Sequence, residues 1–321
     1  MTLPKITVLG GGTGTFTILS GLKQHSIDIS AIVSIADDGG STGILRDELG
    51  VLPPGDIRQC LVALSEADDV LRRLFMYRFS DGSLAGHNFG NLFLSALEKI
   101  SGNPIDAMRA VHEILNVKGQ VIPASAQMSD LYAELEDGTI VEGEDAIEQP
   151  EERAPIRRCF LSPSVPANPD AIRAIQEADI LVLGPGDLFT SIMPVLLVDH
   201  IADTIRTSRA QVVYIMNLMT KRAQTDNFPS SKFVETLESI IGKQRINKVI
   251  MNISPLPSDI AERYEESGEG PVADDLFDDA RVVRADLLAS DPVQRVAGDT
   301  VKRSLIRHDS QKLADVVMSL F

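Results

Sequence analysis

The sequence predicts an α/β protein with a Rossmann-like, doubly wound and mainly parallel sheet that carries a large α+β insertion. Short apolar runs rich in β-branched residues recur along the chain, as is typical of strands buried on both faces of a parallel sheet. Helical patterns lie between these runs, for example at 195–205 and 233–241. Such an alternation places ligand chemistry at the carboxyl ends of the strands. The predicted strands cover 6–9, 29–35, 180–183, 212–216 and 249–251.

The second and third of these strands are separated by about 140 residues, which is too many for a simple crossover. We therefore predict a nucleotide-binding core formed by 1–55 and 162–321, and an inserted subdomain at 56–161. The insertion is expected to contain helices, the first with Asp56 as its N-cap, and then a β-hairpin with its turn at Asp137-Gly138. The acidic run 142–152 is expected to be a solvated loop.

The composition argues against two classes of partner. The net charge of −16 disfavours nucleic-acid binding, because phosphate backbones require clustered Lys and Arg. No apolar run approaches the ~18 residues of a membrane span. A strand-like start at Lys5 leaves no room for a signal peptide. We expect a cytoplasmic protein, and a homodimer is left open.

A glycine-rich turn between the first strand and the first helix is the strongest functional signal. Such a turn lets the backbone approach a ligand closely, and the following helix offers unpaired N–H groups to an anion. It lacks the third glycine of a dinucleotide motif and the lysine of a Walker A loop. The turn predicts a bound nucleotide or phosphorylated compound, although a purely structural turn is the alternative. We call residues 10–15 the first glycine turn, with Gly10, Gly11, Gly12, Thr13, Gly14 and Thr15 as candidate ligand contacts.

Two adjacent carboxylates, Asp37 and Asp38, follow the second predicted strand in an Ala-Asp-Asp-Gly-Gly-Ser-Thr-Gly motif. Asp37 lies about 20 residues beyond the first glycine turn, where an acidic residue can accept hydrogen bonds from a ribose. Both aspartates also suit Mg²⁺, which takes oxygen ligands and bridges carboxylates to phosphates. They are the candidates for catalytic and metal-ligating residues, and turn capping is the structural alternative.

A second Gly-Pro-Gly-Asp turn follows the third predicted strand, and we call residues 184–191 the second glycine turn. Thr190 or Ser191 is predicted to cap the next helix. The two turns should flank one cleft, with Asp37 on its wall. The candidate contacts from the second turn are Gly184, Gly186, Asp187, Thr190 and Ser191.

A further pair, His87 and Asn91, lies near the start of an apolar helix. Residues four apart share a helix face, which could look into the cleft. A structural, hydrogen-bonded histidine is the equal alternative for His87.

These motifs, together with Leu-Pro-Pro-Gly-Asp-Ile-Arg at 52–58, resemble the YvcK/CofD-like family, and within it the gluconeogenesis-factor branch. The resemblance implies a Rossmann-like core in a cytoplasmic bacterial protein. It also implies a role in carbon metabolism and cell-wall morphogenesis on gluconeogenic carbon sources. The implied ligand is UDP-N-acetylglucosamine, with NAD also compatible, and Tyr264 and Arg307 match its contacting tyrosine and arginine.

The other branch of this family contains Mg²⁺-dependent 2-phospho-L-lactate transferases. Its second-strand motif differs from Ala-Asp-Asp-Gly-Gly, which puts transferase activity in doubt for this chain. The segment 220–228 also departs from the family, which more often carries proline, glycine and glutamate there. The leading hypothesis is a regulatory protein that binds a nucleotide-sugar, with a transferase using Asp37 and Asp38 as the competitor and an NAD-binding dehydrogenase third.

Overall fold

Ten strands form two sheets in the computed structural model, which describes residues 3–290 and 304–321. Seven strands make a central sheet and three make a small separate sheet. The strands are β1 (Lys5–Gly10), β2 (Asp28–Val33), β3 (Gln120–Pro123), β4 (Asp130–Leu135), β5 (Ile140–Glu142), β6 (Ile156–Ser162), β7 (Ile180–Leu183), β8 (Gln211–Ile215), β9 (Lys248–Asn252) and β10 (Val282–Ala285).

The central sheet is parallel throughout, in the order β10-β9-β8-β7-β1-β2-β3. From β1 the chain builds outward through β2 and β3, and then returns to place β7 on the other side of β1. This reversal between β1 and β7 is the topological switch point, where neighbouring loops part and ligands bind in doubly wound sheets. The predicted fold class is confirmed.

Helices cover both faces of the central sheet. Ile6 and Val8 of β1 belong to one buried cluster, whereas Leu9 belongs to the cluster on the opposite face. The helices are α1 (Gly12–Leu22), α2 (Gly40–Leu49), α3 (Pro54–Leu64), α4 (Asp69–Met76), α5 (Phe89–Ser101), α6 (Pro104–Ile114), α7 (Glu144–Glu148), α8 (Pro169–Glu177), α9 (Met193–Leu196), α10 (Ile201–Thr207), α11 (Ser230–Ile241), α12 (Ser258–Glu266) and α13 (Ser310–Met318).

The interval 56–161 is not separate from the central sheet, because it contributes β3, which pairs with β2. The sequence of β3, Gln-Val-Ile-Pro, has a polar residue at one end and a proline at the other, so it does not stand out as an apolar run. The predicted hairpin is present: β4 pairs with β5 around Asp137-Gly138, and β6 lies on the other side of β4. The small sheet therefore follows β3, and α2 to α6 form the crossover from β2.

Three helix ends differ from expectation. The helix expected to start with Asp56 as its cap begins at Pro54, so Asp56 lies in its first turn. Thr190 and Ser191 do not cap a helix, because both lie inside a π-helical turn at Leu188–Ile192. The helix predicted at 195–205 is broken at His200, where φ is +70°. Packing at these ends overrides the local cap and periodicity signals.

The acidic run is the fourth difference, because its middle forms α7 rather than a loop. Ile147 is fully buried beneath the small sheet and anchors this helix. Within the two described stretches of chain, no helix combines the length and apolar character that a bilayer crossing requires.

Candidate functional site

The first and second glycine turns touch each other at the switch point between β1 and β7. A Cβ atom at Gly14 would overlap the Pro185 carbonyl oxygen, and one at Gly186 would lie 3.7 Å from the Gly11 carbonyl oxygen. A Cβ at Gly12 would stand 4.0 Å from the Ser191 hydroxyl. Glycine at position 14 is therefore required by close backbone approach. The two turns form one continuous backbone surface.

The start of α1 already has a carboxyl partner from within the chain. Asp56, in the first turn of α3, is 7% exposed and accepts a hydrogen bond from the Gly12 N–H group. A Cβ at Gly11 would overlap its carboxylate. A carboxyl oxygen at a helix N-terminus accepts from the same N–H donors that would hold a phosphate. Asp56 thus fills the position that the sequence assigns to a ligand anion.

The two hydroxyls of the first glycine turn lie in different surroundings. Thr13 lies 3.5 Å from the Gln59 side-chain oxygen. Thr15 is fully buried, and a Cβ at Gly10 would lie 2.8 Å from its hydroxyl oxygen. The Thr15 hydroxyl is buried without a hydrogen-bond partner among the residues that the structure describes.

Asp37 and Asp38 point in different directions, although they are adjacent in sequence. Asp37 accepts hydrogen bonds from the Gly39 N–H at 3.0 Å and from the Thr42 hydroxyl, and it lies against Gly55. Asp38 accepts a hydrogen bond from the Asp145 N–H at 2.8 Å, at the start of α7. Asp37 therefore faces the first helical turn of α3, whereas Asp38 accepts a hydrogen bond from the start of α7.

His87 and Asn91 both contact the first turn of α2, but they do not share a helix face. His87 precedes α5, and its Nδ1 lies 3.1 Å from the Ser41 hydroxyl. Asn91 is buried, accepts a hydrogen bond from Arg58 Nε at 2.8 Å, and donates to the Thr42 hydroxyl at 3.4 Å. These contacts link Asn91 to Asp37 through Thr42. Asn91 consequently supports the Asp37 loop.

The second glycine turn is covered by α7, which packs against the π-helical turn. Glu148 Oε1 accepts a hydrogen bond from the Thr190 hydroxyl at 2.9 Å and lies 3.5 Å from Lys221 Nζ. The Lys221 ammonium also donates to the Asp187 carboxylate. Two segments that are distant in sequence, α7 and the loop after β8, therefore meet at the second glycine turn.

Carboxyl groups crowd the region between the two turns. Burial, followed by the charge of Asp37, raises the pKa of Asp56 to about 8. Burial, followed by the charges of Asp37 and Asp56, raises the pKa of Glu144 well above its usual range. The pKa values of Asp37 and Glu148 are raised mainly by burial. The Glu144 Oε2 atom is buried without a hydrogen-bond partner.

This crowding does not create a preformed metal cage. Within residues 3–290 and 304–321, no group of three His, Cys, Asp or Glu side chains is arranged to hold a metal ion. The divergence of Asp37 and Asp38 accounts for part of this result. The pairing of those two side chains on one cation is therefore not the arrangement that the fold provides.

Tyr264 and Arg307 lie in two segments that contact each other. Tyr264, in α12, is 6% exposed, and its hydroxyl accepts a hydrogen bond from the Leu305 N–H at 2.8 Å. His308, next to Arg307, hydrogen bonds to the Met216 backbone just beyond β8. Burial leaves little of the Tyr264 ring open for stacking, so its contact with ligand stays a prediction. The structure shows it positioning the segment that carries Arg307.

Two open cavities lie away from the two glycine turns. A groove of about 360 Å³ is lined by residues from 50–52, 98–104 and 126–128, and none of the predicted site residues contributes to it. The turns themselves are covered by Asp56 and α7, as described above.

Sequence reasoning missed three side chains of this site: Glu144, Glu148 and Lys221. The glutamates are four apart, which is the spacing of one helix face, but the surrounding acidic residues hid this signal. Lys221 had no local signal, because its partners lie on α7 and the second glycine turn.

Comparison with known proteins places the chain in a family. A family model described as "2-phospho-L-lactate transferase CofD" matches residues 6–291. The gluconeogenesis factor of Bacillus subtilis (strain 168) is 40% identical over 319 residues, covering 99% of this chain and 98% of that protein. The gluconeogenesis factor of Listeria innocua is 38% identical over 333 residues, covering 99% and 96%.

A solved structure agrees with these sequence matches. The crystal structure of a UPF0052-family protein from Bacillus halodurans superposes with a TM-score of 0.91 at 35% identity, covering 99% of both chains. The fold, the family model and the full-length relatives lead to the same conclusion: this chain belongs to the CofD-like family, on its gluconeogenesis-factor branch.

Proposed function

We propose that this protein is a regulatory gluconeogenesis factor that binds a nucleotide-sugar, UDP-N-acetylglucosamine, in the cytoplasm. The observation that carries the proposal is the contact between the two glycine turns at the switch point. Backbone from both turns can then border one diphosphate, as is typical of nucleotide sites in doubly wound folds. The names of the relatives support the class of protein.

The remaining parts of the ligand would lie toward β8. Tyr264 holds the segment that carries Arg307 through its hydrogen bond with Leu305. This segment lies near the end of β8, because His308 is hydrogen-bonded to the Met216 backbone. Arg307 would then bind a phosphate or sugar oxygen through its guanidinium group. Tyr264 supports this contact by fixing the segment.

Calorimetric titration of the purified protein with UDP-N-acetylglucosamine, UDP and NAD tests the proposal. We expect heat with the two uridine ligands and weaker or no heat with NAD. Arg307→Ala should weaken binding of UDP-N-acetylglucosamine by about 1 to 3 kcal/mol, because a charge-assisted hydrogen bond is lost. Arg263→Ala is the matched control on exposed α12 surface. Absence of heat with every uridine nucleotide would contradict the proposal.

The cellular part of the proposal is a role in cell shape during growth on gluconeogenic carbon sources. A strain that lacks its own gluconeogenesis factor should regain normal shape on such carbon when it carries this chain. The Arg307→Ala variant should restore shape less well if ligand binding is required. Equal complementation by both would separate the cellular role from the ligand site.

A transferase of phosphorylated groups is the second candidate, favoured by the family model and by the buried carboxylates. The orphaned Glu144 oxygen and the raised pKa values of Asp37 and Asp56 show that buried carboxyl groups crowd together there, where a bound cation would favour their ionisation. Asp37, rather than the Asp37 and Asp38 pair, would then contact Mg²⁺, whose charge would stabilise phosphates during transfer.

The metal dependence of ligand affinity separates these two candidates. If the protein is a transferase, Mg²⁺ should tighten nucleotide binding and Asp37→Asn should abolish that gain. Asp38→Asn is the control, because Asp38 is bonded to α7 instead. Affinity that is independent of Mg²⁺ in all three proteins would leave the regulatory binding protein as the remaining candidate.

A further inference from the structure

Lys221 supplies a cation at the edge of the second glycine turn. Its ammonium donates to Asp187 and lies 3.5 Å from Glu148 Oε1, and about a third of each side chain is exposed to solvent. An ammonium has three N–H donors, so a bond to Asp187 leaves donors for another oxygen ligand. Asp187 therefore orients Lys221 toward the position that Glu148 now occupies.

Thr190 completes the environment of that position. Its hydroxyl is buried beneath α7 and donates to the same Glu148 oxygen, at 2.9 Å. A hydroxyl and an ammonium converging on one oxygen are also a typical donor set for a phosphate. The neighbouring Ser191 borders the first glycine turn, so this donor set adjoins the proposed diphosphate position.

Glu148 occupies this donor set at the cost of burying its carboxyl group. Burial raises the pKa of Glu148, Lys221 lowers it and the charge of Asp187 raises it, while Glu148 in turn opposes the ionisation of Asp56 and Glu144. Its helix, α7, has only five residues. A helix of five residues has little stability of its own and depends on side-chain contacts. Those contacts come from Asp38, from buried Ile147 and from Arg153, which donates to the Ala146 and Ile147 carbonyl groups.

We propose that Thr190 and Lys221 form a phosphate subsite of the nucleotide-sugar, and that Glu148 occupies this subsite as an internal anion until ligand displaces it. This inference rests on the proposed function and adds to it a cationic contact and a competing carboxylate. The ligand chemistry is a phosphate of a nucleoside diphosphate sugar. Binding then requires α7 to release Glu148 from both donors.

The test measures the affinity of the full-length protein for UDP-N-acetylglucosamine and for inorganic pyrophosphate. Glu148→Gln should tighten binding about fivefold to tenfold, because the neutral amide competes less well for the ammonium. Lys221→Met should weaken binding about tenfold or more, and Lys221→Arg should restore most of the loss. Exposed Glu152→Gln and Lys243→Met are the matched controls and should leave affinity unchanged. Thermal denaturation of each variant checks that it is folded.

The two probes separate failure of this inference from failure of the proposed function. If nucleotide binds the wild type but neither Glu148→Gln nor Lys221→Met changes its affinity, the subsite is wrong and the proposed function stands. If only pyrophosphate binds, and its affinity follows Glu148 and Lys221, the subsite stands and the proposed function fails. Weaker binding by folded Glu148→Gln overturns the competing role of Glu148. No binding of either probe to the wild type overturns both proposals.

Discussion

The two glycine turns follow neighbouring strands and contact each other, yet their donors are partnered in different ways. In the first turn, the N-terminus of a regular α-helix meets Asp56, a carboxylate fixed in the buried first turn of α3. In the second turn, a π-helical segment offers Thr190 and lies beside Lys221. Their shared partner, Glu148, comes from a five-residue helix at the surface.

The difference shows that similar turn sequences can be partnered by a carboxyl group that is fixed in the core or by one that can move away. The partner of the first turn belongs to the main core, so displacing it would disturb α3. The partner of the second turn lies on α7, which has its own local fastening through Asp38. We therefore expect the first turn to control stability and the second to control ligand access.

The largest effect should come from breaking the contact between the two turns. Gly14→Ala places a methyl group on the Pro185 carbonyl, and backbone on backbone cannot adjust by a rotamer change. We expect the free energy of unfolding to fall by at least about 3 kcal/mol. Urea denaturation measures it. Gly270→Ala is the control, since nothing lies within 4 Å of its Cβ position. Equal midpoints for the two variants would refute this contact.

The next effect concerns the fixed partner, Asp56. Its pKa is 3.8 in the unfolded chain and about 8 in the folded protein, mainly because of burial and then the Asp37 charge. Between these values the folded state binds more protons, so this group's contribution to stability falls as pH rises. Asp56→Asn removes the decrease in stability that ionisation of Asp56 causes as pH rises. We expect its stability relative to the wild type to be greater at pH 8 than at pH 5 by about 1 to 3 kcal/mol.

Chemical denaturation at several pH values measures this difference for Asp56→Asn. Exposed Asp259→Asn is the control and should follow the wild-type pH dependence. Asp37 and Glu144 also have raised pKa values in the folded protein, so the stability of the variant still falls somewhat as pH rises. Parallel pH curves for Asp56→Asn and the wild type would show that Asp56 does not retain its proton in the folded state.

A smaller effect is expected from weakening the attachment of α7, the helix that carries Glu148. Asp38→Ala deletes the acceptor of the Asp145 N–H at the start of α7, at a cost of about 1 kcal/mol. Amide hydrogen exchange should accelerate in 145–148 and stay unchanged in the central sheet. Asp38→Asn keeps an oxygen acceptor and should largely preserve protection. Acceleration throughout the molecule would mean that α7 does not open independently.

The smallest effect should be a stabilisation in the loop that carries Lys221. Ala223 has a φ of +66°, a left-handed conformation that costs an alanine about 1 kcal/mol. Ala223→Gly relieves this strain but increases the entropy of the unfolded chain. We expect a net gain of at most about 1 kcal/mol by thermal denaturation. Ala261→Gly, inside α12, should instead destabilise. A loss of stability in Ala223→Gly would contradict the strain argument.

Much of the architecture follows from local sequence. Continuous apolar runs identified five strands of the central sheet, because strands covered on both faces have no polar side. Two strands escaped notice, β3 and β10, since both lie at the edges of the sheet and neither is an uninterrupted apolar run, with Gln120 in β3 and Arg284 in β10. The meeting of the two glycine turns was also predictable, because the carboxyl ends of parallel strands lie at the same edge of a sheet.

The sequence by itself determined the strand runs, the glycine turns and the family motifs, because each depends on residues that are close along the chain. Only the tertiary structure decided which carboxylate partners each turn. Asp56 reaches Gly12 through the packing of α3 on α1, and Glu148 reaches Lys221 across segments about 70 residues apart. The charges and pKa values of the site depend on these distances and on burial, which no local pattern encodes.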